Sequence, residues 1–435
     1  MLKITKLAIL TWAILALYVV FYTDLTLEPV LANSDFLTNF YTAGKIAQEK
    51  CWEILYPAQG AAGFADEAFN AKAHALLPFM PSYSVAEYMY MPLSAYVFAP
   101  FALLGAKYSL IAWQIVSLGA LWVSAWLVSL AQLRRMATGR WQRPAMAATL
   151  ASAGAMTFLP LVNQVWIGQV SLVFGLLPLC LTYLCASLGQ YVWAGAAAGL
   201  LLLKPQLLIP AFFIMAGRLA LKKIDMVCGF AIMVVLILSA NYLVFGGEIM
   251  QSWVDCVRLS DKVFSDTSQG IATTLATSLP RAVLLAYPVE SHAWLKPLLY
   301  VFAALAGLGG MAVGVLQQKR GATNPETVDC LFLLGLLALP VVVPHMFFYD
   351  LAILLPFYFI IFSSTGYNQF NPHLYFKLRA IGILDLIAVN AYFILLIVDK
   401  KYAQPLILVT VFLMLYVRAA AAYAKQTQSL DQGAH

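Results

Sequence analysis

Residues 33–57 read NSDFLTNFYTAGKIAQEKCWEILYP. Phe36, Phe40, Ala43 and Ala47 recur at helical spacing while Asn39, Lys45 and Glu49 fall elsewhere. This pattern predicts an amphipathic helix with one face on a bilayer surface. Asp35 stands at its start as an isolated carboxylate, after Asn33 and Ser34. That is also the place where Ser or Asp caps exposed helix N–H groups, so capping is the alternative role. The stretch follows the apolar run Leu7–Phe21, which Lys3 and Lys6 precede. Basic residues ahead of a first span predict a cytoplasmic N-terminus, placing Asp35 outside at the membrane mouth. Cleavage after Val30-Leu-Ala32 is a competing reading of this run, but its length and its aromatic residues Trp12, Tyr18 and Tyr22 favour a retained helix.

The composition around this stretch sets the class. The chain is 62% hydrophobic and 11% charged, with a mean hydropathy of +0.82, which excludes a soluble globule and predicts an all-α polytopic membrane protein. A helical span needs about 20 apolar residues, and many such runs follow one another. The whole chain, 1–435, therefore reads as a single transmembrane domain. The six cysteines form no CxxC pair and lie mostly in apolar runs, so neither a zinc site nor a disulfide framework is expected. The net charge of +6 fits basic cytoplasmic loops rather than a nucleic-acid partner.

The first outer loop spans 24–106. It holds the helix behind Asp35, a weaker helix around Phe64–Leu77, and an interfacial aromatic group of Tyr83, Tyr88, Tyr90 and Tyr96. The basic cluster Arg134, Arg135, Arg140 and Arg143 belongs in the cytoplasm, which requires an odd number of crossings before it. Met91–Ala106, broken by Pro92 and Pro100, is accordingly read as interfacial or re-entrant, and Leu110–Ala131 as the span. Further spans are expected near Ala145–Leu161 and Ser171–Leu188. Tyr191–Arg218 reads as two short helices with Lys204 at the turn, because Pro205 and Pro210 interrupt the helical bonds. A span at Met226–Val244 leads to a second outer loop, 245–279. Spans at Ala293–Leu316, Cys330–Val343, Leu351–Phe362, Ala380–Val398 and Pro405–Tyr416 complete about twelve crossings, with both termini inside. This topology places most Lys and Arg inside and most Asp and Glu outside.

It also brings a few polar residues to the outer boundary: Asp35, Gln164 and Gln169 in NQVWIGQVS, Lys204, and His345 with Asp350 in PHMFFYDLAILLP. Charged groups near hydrocarbon cost a few kcal/mol unless paired or functional, so their common depth predicts a site. Taken singly, each has a plainer role. Lys204 can snorkel, Gln169 can bond between helices, His345 can satisfy a carbonyl, Asp350 can cap the next helix, and Arg258 and Lys262 can be solvated. Together they suit transfer from an anionic lipid. Lys204, with His345 or Arg258, would hold a phosphate, and Asp35 would take a proton from an attacking hydroxyl. A carboxylate opposite a phosphate leaving group suits displacement at a sugar carbon. Cationic side chains can stabilise that leaving group without a metal. The chain has no P-loop, GxGxxG or HExxH.

At these residues the sequence resembles the family 87 glycosyltransferases, polytopic GT-C enzymes similar to polyprenyl-phosphate-mannose-dependent mannosyltransferases. The resemblance runs through Asp35, Phe40-Tyr41-x-Ala43-Gly44, Leu55-Tyr56-Pro57, Tyr90-Met-Pro92-Leu93, Gly168-Gln169-Val170-Ser171, Ala194-Gly195, Lys204-Pro205, Pro344-His345 and Tyr349-Asp350. Met91-Pro92 stands where the family often has two prolines, and Val343-Pro344 replaces its usual Ser-Pro. The resemblance implies a GT-C fold in the plasma (inner) membrane with an extracytoplasmic active site. It implies metal-independent, inverting transfer of a hexose, mannose above all, from a polyprenyl-phosphate donor to a lipid-linked or envelope glycan, with no cofactor. Asp35 would be the general base. Lys204, His345, Gln169, Arg258, Tyr41 and Asp350 would contact donor phosphate or substrate.

A transporter or lipid-linked glycan flippase is the alternative from another class, since kinked helices with a mid-segment Lys also line transport paths. Such a path places polar residues near the midplane and often shows an internal repeat, whereas here they gather at one face. A ligase or polymerase using a diphosphate-linked lipid would favour more outer-loop arginines than this chain has.

Overall fold

The computed structural model describes residues 12–13, 34–134, 142–265, 275–287, 294–319, 324–363 and 372–432. The expected first span Leu7–Phe21, the cleavage motif Val30-Leu-Ala32, and Arg135 and Arg140 lie outside the described residues, except for Trp12 and Ala13. Among the described residues the chain is helical and has no strand. One isolated bridge pairs Ala276 with Phe347.

After a π-helical turn, Phe36–Tyr41, the helices are α1 (Thr42–Glu49), α2 (Ala68–Leu76), α3 (Pro92–Ala102), α4 (Ala106–Arg134), α5 (Gln142–Ala155), α6 (Leu159–Ile167), α7 (Leu177–Ser187) and α8 (Tyr191–Gly199). They continue as α9 (Ile209–Ala220), α10 (Asp225–Ser265), α11 (Leu279–Ala286), α12 (Leu295–Lys319), α13 (Asn324–Val342), α14 (Leu355–Ile361), α15 (Pro372–Val398) and α16 (Pro405–Gln432).

Five stretches within these helices are long and apolar enough to cross a membrane: Ala106–Leu133, Asp225–Val263, Leu295–Leu316, His373–Val398 and Pro405–Lys425. A sixth is the pair Pro144–Ala155 and Leu159–Ile167, bent by 88°. Other expected spans appear as shorter apolar helices, including Leu172–Ser187, Tyr191–Leu203 and Pro205–Ala220, with Lys204 at the break as Pro205 implied. This is a polytopic, all-α membrane protein.

Two expectations change. The apolar face of the Asp35 segment does not lie on a bilayer surface. Phe36, Phe40, Ala43 and Ala47 are buried against the protein. Phe36 stacks on Trp113 with ring centroids 5.3 Å apart, and Phe40 packs on Phe98 at 4.9 Å. Aromatic contacts of this kind add ~0.5–1.5 kcal/mol each beyond area burial. They were beyond a periodicity argument because α3 and α4 supply the covering surface. The second expected loop, 245–279, is helical as far as Ser265. The chain breaks at Gly246, whose φ of 76° and ψ of 177° no helix accommodates, and then resumes. The resumed half of α10 packs over the first loop: Trp253 Nε1 donates to the Met89 carbonyl at 3.1 Å.

α3 begins at Pro92, which has no N–H to leave unpaired, and the next N–H, of Leu93, is taken by Asn241 Oδ1 of α10 at 2.9 Å. α8 and α10 approach so closely that a Cβ on Gly195 or Gly229 would strike the opposing backbone, the small-residue packing common between membrane helices. These contacts bring the first loop, the end of α6 and the breaks near Lys204 to one end of the bundle.

Candidate active site

Asp35 is half-buried immediately before the π-helical turn. Its side chain makes no capping bond. Ser34 fills that place instead, its Oγ accepting from Leu37 N at 3.4 Å and donating to the Ile167 carbonyl at the end of α6 at 3.2 Å. The second bond ties the Asp35 segment to the GQ turn, where Gln169 Nε2 donates to Asp35 Oδ2.

The turn can sit there because residue 168 is glycine. α6 ends with Gly168 left-handed at φ 73°. Gly168 N donates to Val165 O at 3.2 Å and Gln169 N to Gln164 O at 3.0 Å, the two bonds of a Schellman cap. A Cβ on Gly168 would lie 2.5 Å from Phe36 Cβ. The short motif Gly-Gln thus has two separate physical jobs: close approach of the Asp35 segment, and a donor for its carboxylate.

Behind this pair lies a buried ionic group. Lys204 Nζ is 2.6 Å from Asp350 Oδ1, the two side chains being 3% and 2% exposed. Ser171 Oγ donates to the same carboxylate oxygen at 2.7 Å and accepts from Lys204 Nζ. The Tyr349 ring covers the ammonium, with its centroid 5.7 Å away. Gln164, with its amide oriented to suit its neighbours, donates to Tyr349 O at 2.8 Å and accepts from Ser171 N at 2.9 Å. Ser171 precedes a second π-helical turn, Leu172–Leu176. Such turns concentrate at functional positions, and here one follows Asp35 and the other follows Ser171.

Burial raises the Asp35 carboxyl from 3.8 to about 6; the Gln169 hydrogen bond and the Lys204 charge pull it down, and Asp350 pushes it up. Glu87 stands near enough to feel Asp35. Burial, then the Asp35 charge, raises its carboxyl to about 8. At pH 7 Asp35 is therefore mostly ionised and Glu87 mostly neutral, two carboxyl groups driven to opposite protonation states. Asn39, one helical turn beyond Asp35, fixes this approach by accepting from Glu87 N at 3.0 Å.

The structure thus brings together five of the expected residues: Asp35, Gln164, Gln169, Lys204 and Asp350. Asp350 does meet a helix N-terminus, its Oδ2 accepting from Phe347 N at 3.5 Å, but its main partner is Lys204. The other three stand apart. Tyr41 directs its hydroxyl to the Leu104 carbonyl at 3.4 Å. Arg258 is 73% exposed and pairs with Asp255 at 3.2 Å; it lines a groove of about 400 Å³ with Tyr90, Leu203 and Trp253. His345 Nε2 is 2.9 Å from Asp261 Oδ1 in a second polar group. Sequence reasoning missed Glu87 and Ser171. Glu87 had a signal, since it is the lone charge in VAEYMYMP ahead of Pro92.

Neither the curated proteins nor the solved structures gave a match. A family model matches residues 88–344; Gln169, Ser171 and Lys204 lie within that segment, Glu87 adjoins its start, and Asp35 and Asp350 lie outside it. The matched segment, residues 88–344, is more than half of the chain, and the chain belongs to glycosyltransferase family 87.

Proposed function

We propose that this membrane glycosyltransferase moves a hexose, mannose being the first candidate, from a polyprenyl-phosphate donor to a hydroxyl of a lipid-linked or envelope glycan, with Asp35 as general base. Membership of a transferase family sets aside the transporter and flippase alternative. The observation that carries the reading is the Asp35 carboxylate itself, held by Gln169 and kept ionisable near neutral pH beside the Lys204–Asp350 pair.

In the reaction the acceptor oxygen attacks the anomeric carbon from the face opposite the phosphate. The C–O bond to the sugar forms as the C–O bond to phosphate breaks. Asp35 takes the hydroxyl proton, and polyprenyl phosphate leaves with the electron pair. Attack opposite the leaving group inverts the anomeric centre. A base near 6 suits this task, because it is ionised at working pH yet retains affinity for a proton.

Lys204 acts in this reading as a positioning residue. Two of its three N–H donors are used by Asp350 and Ser171, and its charge opposes the desolvation that would otherwise neutralise Asp35. Glu87 supplies a neutral carboxyl group beside the base, able to donate to a sugar hydroxyl. The site faces the extracytoplasmic side of the inner membrane, in keeping with the charge distribution of the loops.

In membranes containing this protein, radiolabelled polyprenyl-phosphate hexose and acceptor lipid, Asp35→Asn should abolish transfer while the variant still folds and binds donor. Unchanged turnover would remove Asp35 from the mechanism.

A further inference from the structure

Beside His345, α11 carries Arg281, which is 3% exposed and lies near the Asp261 carboxylate that His345 and Lys296 share. That polar group belongs to the Asp35 end of the bundle. A different set of cations lies at the other end. Phe393, in the second half of α15, stacks on Phe348 with ring centroids 4.7 Å apart, and Phe348 stands two residues before Asp350. Lys377 precedes Phe393 on the same helix by about 24 Å, at 1.5 Å per residue. A hydrocarbon core is about 30 Å thick. Lys377 therefore stands at the membrane face opposite Asp35, the face that the proposed topology puts in the cytoplasm.

At that face a groove of about 400 Å³ opens between α15 and α16. Lys377, Ile381 and Leu384 line it from α15, and Arg418, Ala422 and Lys425 from α16. Each set repeats at i, i+4 and i+7, so each occupies one helix face. The groove has room because α16 reads Arg418-Ala-Ala-Ala-Ala-Tyr-Ala-Lys425, and alanines put nothing beyond a Cβ into the space beside α15. No carboxylate lines the groove. No ion pair or side-chain hydrogen bond joins any of the three cations to a described residue. Asp385, the one acid of α15, accepts instead from Tyr358, and Asp329 of α13 accepts from Tyr183 at 2.6 Å. Arg379, on another face of α15, is covered by the Tyr375 and Phe362 rings.

The same two faces turn apolar further along the spans. Leu384 and Ile387 on α15 and Met414 on α16 are exposed, and all three lie within stretches apolar enough to cross a membrane. Arg418 sits two turns deeper than Lys425, about 10 Å along the helix, so the cations reach from the mouth of the groove to the start of this apolar strip. Cations that only snorkel to water need no groove and no shared face. Three unpaired cations above exposed hydrocarbon match an amphiphile with an anionic head, the ligand that basic pockets between membrane helices take. The guanidinium fork of Arg418 can grip two phosphate oxygens while the lysines act as point charges.

We infer that Lys377, Arg418 and Lys425 form a binding site for an anionic phospholipid of the bilayer, in the leaflet opposite the Asp35 cluster. Its phosphate sits among the three cations, and its acyl chains lie along Leu384, Ile387 and Met414. The lipid is a resident of the fold and takes no part in transfer. The inference does not rest on Asp35 acting as a base.

Native mass spectrometry of the full-length protein, released from nanodiscs of equal phosphatidylglycerol and phosphatidylcholine, tests it. Phosphatidylglycerol should be retained about 10-fold better than phosphatidylcholine. Lys377→Gln combined with Arg418→Gln should erase that preference without moving the melting temperature, since Arg418 is exposed and Lys377 only half-buried. Lys425→Gln alone should weaken it about 3-fold. Lys222→Gln combined with Lys223→Gln removes the same charge from an exposed turn and should leave the preference intact. Equal retention of the two lipids by the wild type would overturn the inference, as would a preference that survives the groove variants. An equal loss in the Lys222 and Lys223 variant would reduce the effect to bulk charge and overturn it too. So would displacement of phosphatidylglycerol by equimolar polyprenyl phosphate, which would make the groove a substrate site. Asp35→Asn should retain phosphatidylglycerol like the wild type, so failure of the lipid site and failure of the proposed base are read separately.

Discussion

The Asp35 and Arg281 groups lie within reach of one stretch of chain, since Asp350 belongs to the first and His345 to the second, yet they handle buried charge in opposite ways. In the first, the buried cation is closed off: Lys204 has Asp350, Ser171 and the Tyr349 ring around it. In the second, the buried cation is left more open, with neither terminal guanidinium nitrogen of Arg281 hydrogen-bonded among the described residues. A closed ion pair sets the field around a reacting carboxylate without competing for substrate. An open guanidinium does the reverse, leaving buried N–H donors without partners. The difference shows why a cation's residue type says little about its task; the partners decide.

The contrast can be broken most forcefully at the closed pair. Asp350→Ala strands the Lys204 ammonium in a dry site, and thermal unfolding in detergent should show a loss of about 3–5 kcal/mol. Adding Lys204→Met should recover much of that loss, because the stranded charge is gone. No recovery would mean that the pair is not the source of the effect.

A smaller loss, about 1–3 kcal/mol, is expected for Gly168→Ala, which combines a strained positive φ with a clash against Phe36. Transfer should fall more than stability does, since the same turn aims Gln169 at Asp35. An active variant with an unchanged melting curve would contradict this account of the GQ turn.

Lys204→Met sharpens the electrostatic half of the contrast. Lys204 lowers the Asp35 carboxyl, so removing it should move the acid limb of the transfer rate upward in pH. A limb that stays in place would deny that coupling. The smallest effect is expected for Arg258→Ala, within about 0.5 kcal/mol of wild-type stability, because an exposed ion pair contributes little.

Much of this was legible in the residues alone. Asp35 stood out because a lone carboxylate between apolar runs is expensive, and the break at Lys204 followed from Pro205. Family and class could be read from short motifs in order. What could not be read was partnership. Asp350 lies 146 positions from Lys204 in the chain, and no local period links them. The helix behind Asp35 showed its apolar face but not what covers it, and a bilayer and the Phe98–Trp113 surface make the same demand of Phe36. The second half of α10 was read as loop because its polar side chains suit water, while its other face packs on the first loop through Trp253 and Cys256. Arg281 gave no signal, since an arginine after Leu-Pro in a loop looks solvated until its burial is known.

The central claim is that Asp35 removes the acceptor proton. The direct measurement is kcat/KM for transfer from pH 4.5 to 8.5, for the wild type and Asp35→Asn together. The wild-type rate should climb through an acid limb near 6, where the Asp35 carboxyl titrates, and level off above it. Asp35→Asn should be lower by about 10³-fold and show no such limb. The variant should be at least as stable as the wild type at pH 7. A carboxyl raised from 3.8 to about 6 by folding makes the folded state lose stability as pH rises through that interval, and Asn is free of that penalty. Transfer at wild-type rates in the variant, or an acid limb that survives the substitution, would contradict the account.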